Sequence, residues 1–492
     1  MAISFNSIPI ILRTPGAYTE YDASRAIQGL AALPTKILVI GTMDSSAGDS
    51  AVNTLQQILG RDEGIARFGR GTQLAHMLDK VKRANSFNEV WAIGLDEDGA
   101  GAESTWTITI AGTATEDGTL HLLLGGREVN VGVSDGDAFG TVATAVDAAI
   151  VADLDLAFVQ GAAVAGGVVT VDSRHTGLFT DDLDIRVNYY DRQRVPAGLT
   201  VTIAQTANGT ANPDIDTILD ALPEDEWYTT IITGWTDAAN MTSLETFALN
   251  RWGPLVQQDV MVIGGAVGTF SDHSTLGGTR NSQFSSIMGG GQSPTPAYEW
   301  AAVYGAVEAF EPDPARPRQT LFLPNILPAA REQRFDQAER NLLLQGGIAT
   351  HTVDQSGKVY IERAITTYQT NALGVDDPTF LDITTLRTLA ALRYTLNVRI
   401  QLKYPRHKLA SDGTIIPPGQ PIVTPSVLRG ETIALFDQWA DQGWVEGGSK
   451  EQFKEELVME RSDTDVNRVD AQIPPDLMNQ FRVFAGQIQF LL

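Results

Sequence analysis

The chain has 492 residues, 43% of them apolar and 19% charged, so it can fill proper cores and divide into roughly two to four domains. Its formal charge of −25 argues against nucleic acid or an anionic membrane as a direct partner, because both are bound through basic patches. The lack of cysteine excludes disulfides and thiolate metal sites; with no basic leader and no apolar run near the ~20 residues of a bilayer span, a protein made and folded in a cytoplasm is expected.

In chain order, residues 3–21 read as an apolar, extended arm broken by Pro9 and Pro15, ending in a short strand of Ala17, Tyr18, Thr19, Glu20 and Tyr21. A strand is expected over 37–40, a helix over 50–59 with Val52, Leu55, Ile58 and Leu59 on one side, a helix over 73–83, and a strand over 90–93. The alternation resumes with strands at 227–233, 260–263 and 320–323 and helices around 244–249 and over 298–310. Apolar strands alternating with helices argue for a mostly parallel, three-layer α/β core. Between these halves, residues 99–212 are rich in Gly, Ala, Thr, Val and Asp, with six short strands and one helix over 139–152. They read as a β-rich insertion, separately folded and carried outward.

After a helix over 331–344 comes a smaller α+β unit with a strand over 359–367 and helices over 384–402, 426–442 and 450–461. The expected division is an arm (1–25), a central α/β domain (26–98 plus 213–345), the insertion (99–212), a C-terminal α+β domain (346–478) and a strand arm (479–492). That last stretch is apolar on both faces. Phe484, Ile488, Phe490 and Leu492 point one way, Phe481, Val483, Ala485 and Leu491 the other. A free apolar strand is an aggregation hazard, so both arms must be paired, either within their own subunit or on a neighbour's sheet.

Signals for chemistry are weak. His273, in FSDHSTLGG beside Ser271 and Ser274, reads as polar loop surface, since subtilisin-type H-G-T and G-T-S motifs are absent. The other histidines show no metal-ligand spacing. Gly69-Arg70-Gly71-Thr72 opens a helix, the right place for a phosphate, yet lacks the rest of a dinucleotide or P-loop signature. Residues 289–291 read as a flexible glycine loop. The basic run KYPRHK around His407 is either a solvated loop or a contact with an acidic neighbour. No catalytic, cofactor or metal residue is nominated.

Longer blocks say more. PGAYTEYDASRA (15–26), EWAAVYGAVEAF (299–310), DPARPRQTLFLP (313–324), ERNLLLQGGIATHTVD (339–354), GKVYIERAITTYQTNA (357–372), KYPRHKLASDGT (403–414) and IPPDLMNQFRVFAGQIQFLL (473–492) resemble, in order, the contractile-tail sheath proteins of Mu-like bacteriophages. The resemblance is faint over 99–212. It implies a subtilisin-like core topology without the triad, and a structural, non-enzymatic subunit stacked in rings, hexameric in the family, around a tail tube. Baseplate and tail terminator proteins are the further partners it implies, and the virion tail sheath the destination. The arm residues Ala17 to Tyr21, with Phe481, Val483, Phe484, Ile488, Phe490 and Leu492, would join subunits by strand exchange. A charged C-terminal helix attaches to the tube in this family, which nominates Lys450, Lys454, Glu455 and Arg461. A bacterial contractile injection system, a tail-like bacteriocin and a subtilisin-like serine hydrolase are the alternatives.

Overall fold

A computed structural model describes residues 13–19, 30–417 and 419–491. The chain divides into two compact units, Pro34–Leu386 and Met1–Leu33 with Arg387–Leu492. The larger unit opens with β1 (Lys36–Thr42), β2 (Leu55–Ile58), α1 (Glu63–Phe68), α2 (Gln73–Ala84) and β3 (Glu89–Leu95). The insertion supplies β4 (Glu103–Gly112), β5 (Gly118–Leu124), β6 (Arg127–Val133), α3 (Phe139–Ala152), β7 (Phe158–Gln160), β8 (Val168–Thr176), β9 (Ile185–Val187) and β10 (Leu199–Ala207). Then come α4 (Asp216–Leu219), β11 (Thr230–Thr233), α5 (Ala238–Trp252), β12 (Met261–Ala266), α6 (Phe270–Gly278), β13 (Ser285–Gly289) and α7 (Ala297–Phe310). The unit closes with β14 (Phe322–Leu323), α8 (Gln337–Gln345), β15 (Thr350–Val353) and β16 (Val359–Arg363).

The central sheet has the order β13-β12-β11-β1-β3-β2, parallel throughout except for β2. Every residue of β11, β12 and β13 is buried, as befits strands covered on both faces. Successive strand residues face opposite sides, and β13 shows what lies on each. Ser285 donates to Glu245 of α5 at 2.6 Å, whereas Ser286 shares a hydrogen bond with Tyr304 of α7 at 2.8 Å. Helices therefore cover both faces, giving three layers. α7 lies so close that a Cβ on Gly265 would stand 2.4 Å from Ala297 O. The insertion reads differently: β8 alternates half-buried and buried positions without a break, the pattern of a one-sided antiparallel sheet.

Several expectations change. The helix expected over 50–59 is a turn and the edge strand β2, antiparallel to β3. Ile58 is buried while Leu59 is exposed, so the four apolar residues never shared a face. The stretch 331–344 is a short 3-10 turn followed by α8, whose start is fixed by a reciprocal capping box between Asp336 and Glu339. β13 and α6 were not anticipated. β15 and β16 belong to the larger unit: Ala349 bridges to Met288 of β13, and Val359 and Ile361 lie in its core. The smaller unit accordingly begins at Arg387 rather than at residue 346.

The insertion is not packed as a separate module either. Its apolar residues, among them Trp106, Leu122, Phe158 and Val171, join the same buried cluster as β1, α2 and α7. Polar contacts reinforce the junction. Arg70 meets Asp155 at 2.7 Å, His76 Nε2 lies 2.8 Å from Asp155 O, and Tyr189 donates to Pro328 O at 2.8 Å.

The smaller unit contains most of α9 (Ile383–Lys403), then β17 (Lys408–Leu409), β18 (Ile422–Val423), α10 (Pro425–Asp441), α11 (Lys450–Glu456), β19 (Val458–Arg461) and β20 (Val469–Gln472). Its core is small. Phe436 stacks on Phe453 at 4.4 Å, with Leu392, Leu435, Trp439, Val445 and Leu457 around them. Trp439 donates its indole N–H to Thr395 at 3.0 Å, which satisfies the one polar atom it buries.

Candidate assembly surfaces

An open α/β sheet places ligands at the carboxyl ends of its strands, where neighbouring strands run on to opposite sides. Here that position lies between β1 and β11, and protein groups fill it. Gln73 accepts the Thr42 N–H at 2.8 Å and donates to Gly234 O at 3.1 Å. His175 of β8 accepts the Gln73 backbone N–H at 3.3 Å, and its Nδ1 lies 2.7 Å from Glu97. Thr72 caps the same helix by accepting from Ala75 at 3.3 Å. The phosphate-ready helix start suggested by residues 69–72 is thus closed by the insertion.

His273 is a correction. It sits within α6 and is buried, its Nδ1 2.9 Å from Thr269 O and its Nε2 3.3 Å from Ala266 O. Burial lowers its pKa. Ser271 and Ser274 are both exposed while His273 is buried, so neither hydroxyl faces the imidazole. The T-x-x-D signature of residues 269–272 could have marked this helix, since Thr269 and Asp272 form a capping box. Residues 289–291 are no flexible loop: Gly290 donates to Ala266 O at 2.7 Å, and a Cβ there would stand 2.8 Å from the Trp300 ring. Among the described residues, no three His, Cys, Asp or Glu side chains are grouped as metal ligands.

The C-terminal stretch has the opposite character. Val445 and Leu477 form a β-bridge, Glu446 donates to Asp476 O at 2.9 Å, and Met478 donates to Trp444 O at 3.0 Å. Beyond this clamp, residues 479–491 form neither helix nor strand. Phe481, Val483, Phe484, Ile488, Phe490 and Leu491 are 72 to 101% exposed. Leu492 lies outside the described residues. At the other end, Ala17, Tyr18 and Thr19 are exposed and form neither helix nor strand, while Glu20 and Tyr21 lie outside the described residues. The same unit contains a two-stranded ribbon of β19 and β20, registered from Val458 on Gln472 to Arg461 on Val469.

The helix expected over 450–461 ends at Glu456. Phe453 and Leu457 are both buried at an i,i+4 spacing, but Leu457 is already extended, and the alternating exposure of the next four residues is that of β19. Lys450, Lys454, Glu455 and Arg461 therefore do not share one helical face. Lys450 pairs with Asp437 at 2.6 Å, Lys454 with Glu451 at 2.5 Å, Glu455 is exposed, and Arg461 donates to Val466 O at 2.7 Å.

With this geometry in view, the relatives are informative. The phage tail sheath protein central domain matches residues 208–367, and the phage tail sheath C-terminal domain matches 375–491. The chain is 39% identical over 494 residues to the Mu-like prophage FluMu tail sheath protein of Haemophilus influenzae, covering all of both. A sheath tail protein of Desulfitobacterium hafniense shares the fold, with a TM-score of 0.51 at 13% identity over 94% of this chain and 97% of that one. One from Listeria innocua gives a TM-score of 0.49 at 12% identity over 93% and 95%. The chain belongs to the phage tail sheath family, as a structural tail sheath protein of the Mu-like kind and not an enzyme.

Proposed function

We propose that this chain polymerises helically around a tail tube by exchanging terminal strands, and that the sheath then contracts to drive the tube through a cell envelope. The observation that carries this reading is the exposed apolar stretch 481–491 in the same unit as the two-stranded ribbon β19–β20. Among the described residues no third strand flanks this ribbon, and an open strand edge is what a donated strand requires. Magnitudes favour ladder formation over mere apolar burial. Burying six large side chains yields about 9–18 kcal/mol, while ordering eleven residues of backbone costs about 11–22 kcal/mol. Main-chain hydrogen bonds to a neighbour supply the difference. An arm passed from one copy to the next is a heterologous contact, which propagates without closing and builds a helix.

Stacked six-fold rings, a tube protein inside, baseplate and terminator proteins at the ends, assembly in the host cytoplasm and an outward-facing insertion complete this reading. The subtilisin-like ordering of the core is part of it, supported by a parallel sheet with helices on both faces. Lys450, Lys454, Glu455 and Arg461 remain the nominated tube contacts, now as residues of α11 and β19. Contraction draws on interfaces that pack better in the shortened lattice, with no nucleotide consumed. Deleting residues 481–492 tests the central claim: the truncated subunit should stay folded and soluble by circular dichroism and fail to form sheaths in electron micrographs. Long sheaths from the truncated protein would refute strand donation.

A further inference from the structure

Charge is unevenly divided along this chain. Pro34–Leu386 holds 45 acidic and 21 basic residues, whereas Arg387–Leu492 holds 13 and 12. Two stretches are extreme. From residue 195 to 250 there is no Lys or Arg but eight carboxylates. Asp214, Asp216, Asp220, Glu224 and Asp225 are all exposed, from just before α4 to the turn before β11, and none forms an ion pair among the described residues. Of the eight, Glu226 pairs with Lys36 at 2.7 Å and Glu245 with Arg280 at 3.5 Å.

The mirror image lies in the smaller unit. Between Asp382 and Asp412 the chain carries six Lys and Arg and no carboxylate. Arg399 and Lys403 are held by Glu431 of α10. Arg406, His407 and Lys408, beyond the end of α9, are exposed and form no ion pair among the described residues. Their tip is stiffened locally: Tyr404 lies edge-on to His407 at 5.1 Å, and Lys408 of β17 is in register with Ile422 of β18. Leu402 beside them is 74% exposed, an apolar anchor next to the cations.

We propose that the basic tip of Arg406, His407 and Lys408 on one copy seats on the acidic stretch 214–225 of another copy of this chain. Charge complementarity names the occupant, because the matching carboxylates lie on the same sequence and are not neutralised within it. Such contacts act mainly on encounter and register, since exposed pairs are individually weak and opposed charges aligned along a lattice suppress wrong neighbours. The proposal rests on the reading of the chain as a polymer.

The test uses full-length chains in charge reversal. One variant carries Arg406→Glu and Lys408→Glu, the other Asp220→Lys and Asp225→Lys; all four positions are exposed, and circular dichroism checks each fold. Sedimentation and electron microscopy read assembly near physiological salt. Each variant alone should need at least about tenfold more protein to assemble, because every junction then opposes like charges. Mixing the two should restore assembly, since copies in alternation meet opposite charges at every junction. A single chain carrying all four changes should assemble as well. If the four-change chain recovers but the mixture does not, the contact is made within one chain and the proposal fails. If neither recovers, the basic tip meets some other partner and the proposal fails. Unimpaired assembly of both variants would refute it while leaving the polymer reading intact; a wild-type chain that never assembles would remove both.

Discussion

Single residues decide how firmly the insertion is fastened to the core, and a histidine makes that fastening sensitive to acid. His76 is buried in α2 between Asp155 O and the Tyr298 hydroxyl, at 2.8 and 3.3 Å. Burial holds its imidazole down at about 4, outweighing the pull of Glu299. The unfolded chain, titrating near 6.5, takes up a proton that the folded chain refuses. Stability from this site is therefore complete above about pH 6.5 and lost as pH falls towards 4, to the extent of about 3 kcal/mol. Urea unfolding at pH 7 and 4.5 should show a large fall for the wild type. His76→Gln should show a smaller fall between the same pH values, even if it starts lower. An equal fall in both would show that this histidine does not titrate with unfolding.

Among the elements, the short N-terminal segment offers the clearest contrast between local structure and assembly. Ala17, Tyr18 and Thr19 are exposed and form neither helix nor strand, and the Tyr18 hydroxyl donates to the Thr14 carbonyl at 3.4 Å. Replacing Tyr18 and Thr19 with proline removes two backbone donors without disturbing a helix or the buried core. The monomer should keep its circular dichroism spectrum and thermal midpoint, and sheath formation should be lost. Normal sheaths from this variant would exclude the segment from the junction. β19 shows how an element is misread at this scale. Phe453 and Leu457 satisfy helical spacing, but the pairing of 458–461 with 469–472 turns the chain into a strand after one buried residue.

Across the whole molecule, the insertion and the core share one apolar cluster, and that makes them a single folding unit in energetic terms. Excising residues 99–212 with a Gly/Ser bridge removes Phe179, which lies edge-on to Tyr298 of α7, and His175 and Asp155, which contact α2, together with the insertion's share of the buried cluster. Stripping large buried side chains from a packed face costs about 2–5 kcal/mol each where the site cannot collapse. The excised protein should unfold at a clearly lower urea concentration than the intact chain. An unchanged midpoint would mean that the shared cluster contributes nothing and that the module is separable after all.

The sequence by itself determined the elements whose apolar pattern is long or fully buried. The strands at 37–40, 90–93 and 260–263, the helices at 73–83 and 298–310, and α3 all lie within a few residues of their expected bounds. Such patterns leave one way to bury a face, so local periodicity suffices. The ordered blocks from 299 to 492 likewise made the family legible, because their order and length are specific. Tertiary structure decided what depends on partners distant in sequence. Residues 50–59 became a strand because β3 offered an edge, and His273 became a buried helical residue because β12 and the glycines at 289–291 close over it. The fate of residues 69–72 was settled by His175, about a hundred positions away, which occupies the helix start that a phosphate would need. Periodicity reports which face of a segment seeks burial; only the assembled fold determines which other segment supplies it.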